Sequence, residues 1–432
     1  DAEKTKLGFA ENLQSQVIRT RSVSPGLSDL VESADYDDFR RVTGQQIRGD
    51  APDEPSLAVQ ANYDDLNRPS AQTIRTGSSV FQRKFSYDPA RTHLTEVNSG
   101  DYVTGLRYDE AGRPTQIVDR NSASNISITT NTVYDGYGNP TQIGNQGGRP
   151  PVNVDYNSLG WPLRVQQGRY AAVMKHNERG HLVEWTDVAG NRVVRSVNEM
   201  GLPLLENVNG RLSALAYDSS GNVTARNEPD GSRNEYAYNC HNDVSLMRSV
   251  AVGLGNGVTR DVTRQFSYDD HGMPVSVTGG TGKSQRMSWS RRNLMSMTDE
   301  DGRMWKYARD AFGNLTRIEV DGKIQRSYEN DGLGNRLAEI DPDGRRTSYR
   351  HDSRGNIIEK IDPDGTLTRN KYDPAGNMVE RATTPPGGPT RTEKWEYAGG
   401  ELLVKMTGPE GEILYTNDAD GNLTGIRTTG AL

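Results

Sequence analysis

The feature that most limits what this chain can fold into is a ten-residue phrase that returns about every 21 residues. It reads YDEAGRPTQI at 108–117, YDGYGNPTQI at 134–143, YDSSGNVTAR at 217–226 and YDDHGMPVSV at 268–277. Further copies are RDAFGNLTRI at 309–318, HDSRGNIIEK at 351–360, YDPAGNMVER at 372–381 and NDADGNLTGI at 417–426. The motif positions are therefore Tyr108, Asp109 and Gly112; Tyr134, Asp135 and Gly138; Tyr217, Asp218 and Gly221; and Tyr268, Asp269 and Gly272. They continue as Asp310 with Gly313, Asp331 with Gly334, Asp352 with Gly355, Tyr372 with Asp373 and Gly376, and Asp418 with Gly421. Asn242 and Asn293 are expected in the glycine slot where Gly is missing. A fixed short period of this kind marks an array of units that bury surface against their neighbours.

A second turn signal lies inside each repeat: DVAG at 187–190, EPDG at 228–231, DEDG at 299–302 and DPDG at 341–344 and 362–365. Asp at the first place and Gly at the fourth suit a type I turn, with Pro favoured between them, as in Asp341 to Gly344 and Asp362 to Gly365. A left-handed Gly after such a turn closes a three-residue hairpin loop. Between turns the apolar residues alternate with polar ones, the period of a strand. Most of the 19 tyrosines fall four or six residues before the glycine slot and so form rows across the strands. The expected fold is all-β, a repetitive antiparallel β-hairpin ribbon.

Composition fits a thin wall better than a thick core. Of 432 residues, 33% are hydrophobic and 25% charged, against roughly 45–50% apolar in ordinary globular chains. A sheet wetted on both faces needs few fully buried side chains. The net charge of −7 argues against nucleic acid or an anionic membrane as the main partner. One cysteine, Cys240, leaves no internal disulfide framework, and no apolar run reaches membrane-spanning length. Residues 1–35 lack the motif and read as a lead-in or cap; 36–107 carry degenerate copies; 108–432 form the regular array, with insertions expected at 250–261 and 383–391. The start reads as a cut end, no separate C-terminal domain is expected, and the last strand offers an open edge. These features point to part of something larger. With ~18 repeats at ~4.8 Å per strand, the ribbon is expected to curl about once around a cavity and not to close a cage alone.

Each candidate chemical site has a plainer reading. VTGGTGKS at 277–284 ends like a phosphate loop, but Val277 stands where the first glycine belongs and a strand follows, so it reads as a hairpin turn. DADGN at 418–422 and DPDGR at 341–345 resemble calcium loops, yet Arg427 and Arg350 occupy the places of the bidentate Glu. His176 and His351 take the Tyr slot, and His176 and His181 flank one turn without a third ligand. Cys240 and His241 are neighbours in a turn and are expected to point apart. No Gly-x-Ser-x-Gly or His-Glu-x-x-His is present. Trp161, Trp185, Trp289, Trp305 and Trp395 are expected to pack in the rows of the wall, with sugar stacking as the alternative. No catalytic, metal or cofactor residue is assigned.

The Tyr-Asp-x-x-Gly-[Arg/Asn] phrase, with Asp-Pro-Asp-Gly turns between copies, resembles the YD-repeat, or Rhs (rearrangement hotspot), family over roughly residues 36–432. That resemblance implies a ribbon spiralling into a hollow shell. It further implies a non-enzymatic scaffold of a bacterial toxin, secreted or delivered outside the cell. Such a shell encloses a C-terminal toxin polypeptide, with other shell segments and secretion proteins as partners. The alternatives are an extracellular glycan-binding or adhesion module and, third, a polysaccharide-acting enzyme on a β-scaffold.

Overall fold

In the computed structural model, residues 6–11, 17–23, 29–51, 54–90, 93–253 and 259–430 are described. They form 38 strands of five to ten residues, from Lys6–Glu11 to Leu423–Thr429. Each strand pairs antiparallel with its neighbours in sequence, as Tyr102–Tyr108 does with Pro114–Asn121 and that strand with Ile126–Tyr134. The expected lead-in contributes Lys6–Glu11, Val17–Val23 and Leu30–Tyr36 to this same ribbon. The first insertion lengthens two strands, Val244–Gly253 and Thr259–Tyr268, to ten residues each; its centre, 254–258, lies outside the described residues.

The turns follow the sequence closely. At Asp135 the backbone N–H donates to the Asn139 carbonyl (3.0 Å) and the Gly138 N–H to the Asp135 carbonyl (3.1 Å). Gly138 has φ +93°. This is a type I turn closed by a left-handed residue, and the ladder slips by one residue at Tyr134. VTGGTGKS closes in the same way, with Gly282 N–H on the Gly279 carbonyl (3.0 Å) and Gly282 at φ +79°. Asn242 takes the glycine role as expected, at φ +65°. Asn293 does not: Ser290 pairs directly with Asn293 across a two-residue turn in which Arg291 and Arg292 hold φ +47° and +62°. That loop is one residue shorter, so Asn293 begins a strand.

The ribbon winds further than its arc length suggests. Side chains and turns separated by 249 to 257 residues touch repeatedly along the chain. One lap therefore takes about twelve repeats, and residues near 50–170 lie beside residues near 310–420. The expectation of a single loose curl is corrected: the second lap is laid edge to edge on the first. Pairing distance fixes how long the ribbon is, whereas its curvature comes from twist accumulated strand by strand.

Buried apolar side chains are few among the described residues: Val31, Tyr102, Ile128, Val193, Ala225, Ala311, Ala338 and Val379. Buried polar groups accompany them, among them Thr76, Asn121, Asp310, Asp331 and Asp373. Several of both sets sit where the laps meet. Tyr102, Asn121, Thr76 and Ala311 are buried along the line where the ribbon meets itself.

Candidate functional site

The motif residues form one edge of the ribbon. Each Asp organises its own turn: Asp135 Oδ1 accepts the N–H groups of Tyr137 and Asn139 (both 2.9 Å), and Oδ2 accepts Asn139 Nδ2 (2.9 Å). Asp109 does the same with Ala111 and Arg113, whose Nε reaches Oδ2 at 2.7 Å. Asp218, Asp310, Asp331, Asp352 and Asp418 repeat the arrangement, Asp373 does so through the Asn377 N–H and amide, and Asp269 accepts the His271 and Met273 N–H groups, Met273 having no side-chain donor for its second oxygen. Asp341 and Asp362 hold the turns of the opposite edge, closed by Gly344 and Gly365. This is why Arg or Asn follows the motif glycine: it supplies the donor for the second carboxylate oxygen.

Electrostatics divides these carboxylates. The Arg113 N–H and guanidinium hold the Asp109 carboxyl below its ordinary value, and the Asn139 and Asn222 amides do so for Asp135 and Asp218. Asp310 goes the other way: burial raises it, and the nearby Glu54 charge adds to the rise.

The motif tyrosines tie consecutive repeats together at this edge. Tyr108 donates to the Leu94 carbonyl (2.7 Å), Tyr134 to Pro114 (3.0 Å), Tyr217 to Pro203 (2.8 Å), Tyr268 to Val244 (2.8 Å) and Tyr372 to Ile357 (2.8 Å). Where Tyr is replaced, Arg309 Nε and Asn330 Nδ2 reach the equivalent carbonyls of Leu294 and Leu315. Arg41, Arg68 and Arg113 stack over Tyr63, Tyr87 and Tyr134, 4.3 to 4.8 Å from the ring centres, a contact of about 0.5–1 kcal/mol at exposed sites.

Motif turns of the second lap dock on the intermediate turns of the first. Ala311 N–H donates to Glu54 (2.9 Å) and Gly332 N–H to Thr76 Oγ1 (2.6 Å). Tyr102 donates to Asp352 (2.7 Å) and Asn121 Nδ2 to the Tyr372 carbonyl (2.8 Å). Asn145 Nδ2 reaches Glu401 (2.6 Å), and Asp420 accepts the Arg169 N–H (2.7 Å) and pairs with its guanidinium (3.1 Å). Burial and the hydrogen bond to Asp352 both raise the Tyr102 phenol.

The remaining candidates fall into the wall. Arg195 lies over Trp185 and Arg381 over Trp395, Trp289 donates to the Pro274 carbonyl, and Trp161 packs beside His176 and Gly180. The Cys240 and His241 side chains do meet, with Sγ 3.4 Å from Nδ1, on an exposed turn tip; the expectation that they diverge is corrected, because both lie on the same side of the loop. Among the described residues no group of three His, Cys, Asp or Glu side chains is placed to hold a metal ion, and no helix is long and apolar enough to cross a membrane.

The RHS Repeat family model matches residues 292–324, 331–367 and 351–392. Over these residues the chain carries repeats of the RHS Repeat type. The ribbon is similar in fold to the solved TcdB2-TccC3-Cdc42 structure, at 14% identity and a TM-score of 0.62, over 95% of this chain and 26% of that one. TcdB2-TccC3 without its hypervariable C-terminal region gives the same identity, TM-score and coverage. A Tc holotoxin pore from Photorhabdus luminescens matches at 14% identity and a TM-score of 0.59, again over 95% of this chain and 26% of that one. The chain thus spans about a quarter of the length of these structures. No curated protein matches the sequence. The motif letters announce the turns; the docking of one lap on another has no comparable local signature, because its partners lie some 250 residues apart.

Proposed function

We infer that this chain is wall material of a toxin-associated shell: a scaffold that encloses a passenger polypeptide and keeps it from acting until delivery. The observation that carries the reading is the lap seam, from Glu54–Ala311 to Arg169–Asp420, which turns an open ribbon into a continuous curved barrier. A solenoid that only displayed a binding face would have no need to seal its edges. The passenger of this reading is a toxin polypeptide of the same parent protein, and the other partners are further shell segments and a secretion apparatus; the protein acts as a secreted toxin component. The test is imaging of the natural protein combined with limited proteolysis. Polypeptide filling the interior, and resisting protease until the wall is opened by denaturant, is the expected result. An interior that holds only solvent in every preparation would overturn the reading.

A further inference from the structure

The two halves of the ribbon carry the same motif turn but different residues just after its Asp. In the docked turns this residue is Ala311, Gly332, Ser353, Pro374 or Ala419, and Gly399 takes the same place in a turn where Ala398 stands in the Asp slot. All are small, and all but the exposed Ala419 are buried or half-buried. Ala311 is 2% exposed and donates its N–H to Glu54. Ser353 donates to the Ser99 carbonyl (3.3 Å). A Cβ on Gly332 would stand 2.5 Å from the Ser56 carbonyl oxygen, and Gly399 lies directly against the Gly148 backbone. On the motif edge of the first lap the same place is taken by Asp38, Asp65, Glu110, Glu178, Glu199 and Asp270, all exposed, interspersed with small residues such as Gly136 and Ser158. The residue that follows is often large and apolar there: Phe39, Leu66, Tyr137, Leu159 and Met200 are each well exposed.

We propose that the residue after the motif Asp decides whether a turn docks on a neighbouring lap: a small residue permits docking, and a carboxylate forbids it. The physical reason is the closeness of the approach. A seam turn places this residue's N–H and Cα against the backbone of another turn, where a longer side chain has no volume to enter. A carboxylate there would also lose its water beside groups such as Glu54 and Asp310. The same choice makes the acidic tips of the first lap an edge that repels further ribbon, as charged residues do on exposed sheet edges. This inference rests on seam geometry alone and does not depend on the shell holding a passenger.

Gly332 and Gly136 make a controlled pair. They occupy the same turn position, neither has a positive φ, and a Cβ on Gly136 would have nothing within 4 Å. Hydrogen–deuterium exchange of the full chain would compare Gly332→Ala and Ala311→Glu with Gly136→Ala and Gly136→Glu. The readouts are the seam turns at 310–313 and 331–334 and, as a folding control, the ladder of 211–217 with 223–227. Both seam variants are expected to speed exchange at the seam turns at least tenfold and to leave the ladder protected; both Gly136 variants are expected to change neither. Unaltered seam exchange in Gly332→Ala, or equal loosening by Gly136→Glu, would overturn the proposal. Should Ala311→Glu unfold the ladder, Gly332→Ala decides; loss of ladder protection there too would show that the position serves folding and not docking, which also overturns it.

Discussion

Individual residues in this wall act through hydrogen-bond inventory more than through volume. A motif Asp offers two oxygens to three donors, so losing it strands backbone N–H groups, at a typical cost of 1–3 kcal/mol for each group left buried. Asp331, 4% exposed, is a clear case: Asp331→Ala is expected to destabilise its hairpin by about 2 kcal/mol, seen as faster exchange confined to the adjoining strands. Asn should serve instead of Asp, because Asn198 Oδ1 accepts the N–H groups of Met200 and Leu202 in the same geometry (both 3.0 Å). At Asp310 the swap is expected to help. Its carboxyl is raised by burial, so its ionised form is disfavoured in the fold, and the penalty appears as pH rises through the raised folded value. Asp310→Asn should therefore raise the melting midpoint at pH 7, with the gain fading towards pH 3; a gain of equal size at both pH values would refute the buried-charge account. His351 is a second misfit: burial lowers its pKa, and its Nδ1 is buried without a hydrogen-bond partner. His351→Tyr restores the motif residue and is expected to stabilise by about 1 kcal/mol in denaturant titration.

At the scale of the hairpin, each repeat is braced by the one before it. The residue after one motif glycine packs on the glycine of the next copy: Trp161 on Gly180, His181 on Gly201, Asn314 on Gly334. Glycine is thus required twice at Gly180, for its φ of +84° and because a Cβ would come 2.7 Å from the Trp161 ring. Gly180→Ala is expected to cost about 2 kcal/mol or more, again localised to its own and the preceding repeat; an effect spread over the whole ribbon would contradict nearest-neighbour bracing. The turn carboxylates also give the elements a common pH response. Asp109, Asp135 and Asp218 lie below their ordinary value of 3.8, so their contribution is complete above that value and is lost as pH falls through the lowered one. Turn protection should therefore hold from pH 7 to about 4 and decline below it.

For the whole molecule, lap length is a matter of counting. Removing residues 218–238, one complete repeat, would leave every remaining hairpin intact and move each seam turn one place along its partner lap. Strand exchange should stay slow while the N–H groups of Ala311 and Gly332 lose their protection. Retention of both would mean that the seam accepts any register.

The sequence determined the strand and turn positions because those are local choices: a left-handed Gly, an Asp that caps its own loop, and a period of two between them. Even the exceptions are local, since the two-residue Arg291–Arg292 turn moved Asn293 by a single place. What only the tertiary structure decided is where the ribbon meets itself. Glu54 finds Ala311, and Tyr102 finds Asp352, only after a small twist per strand has added up over about twelve repeats. No window of residues carries that sum, so Ala311, Gly332 and Ser353 look like ordinary turn residues until the second lap is laid on the first.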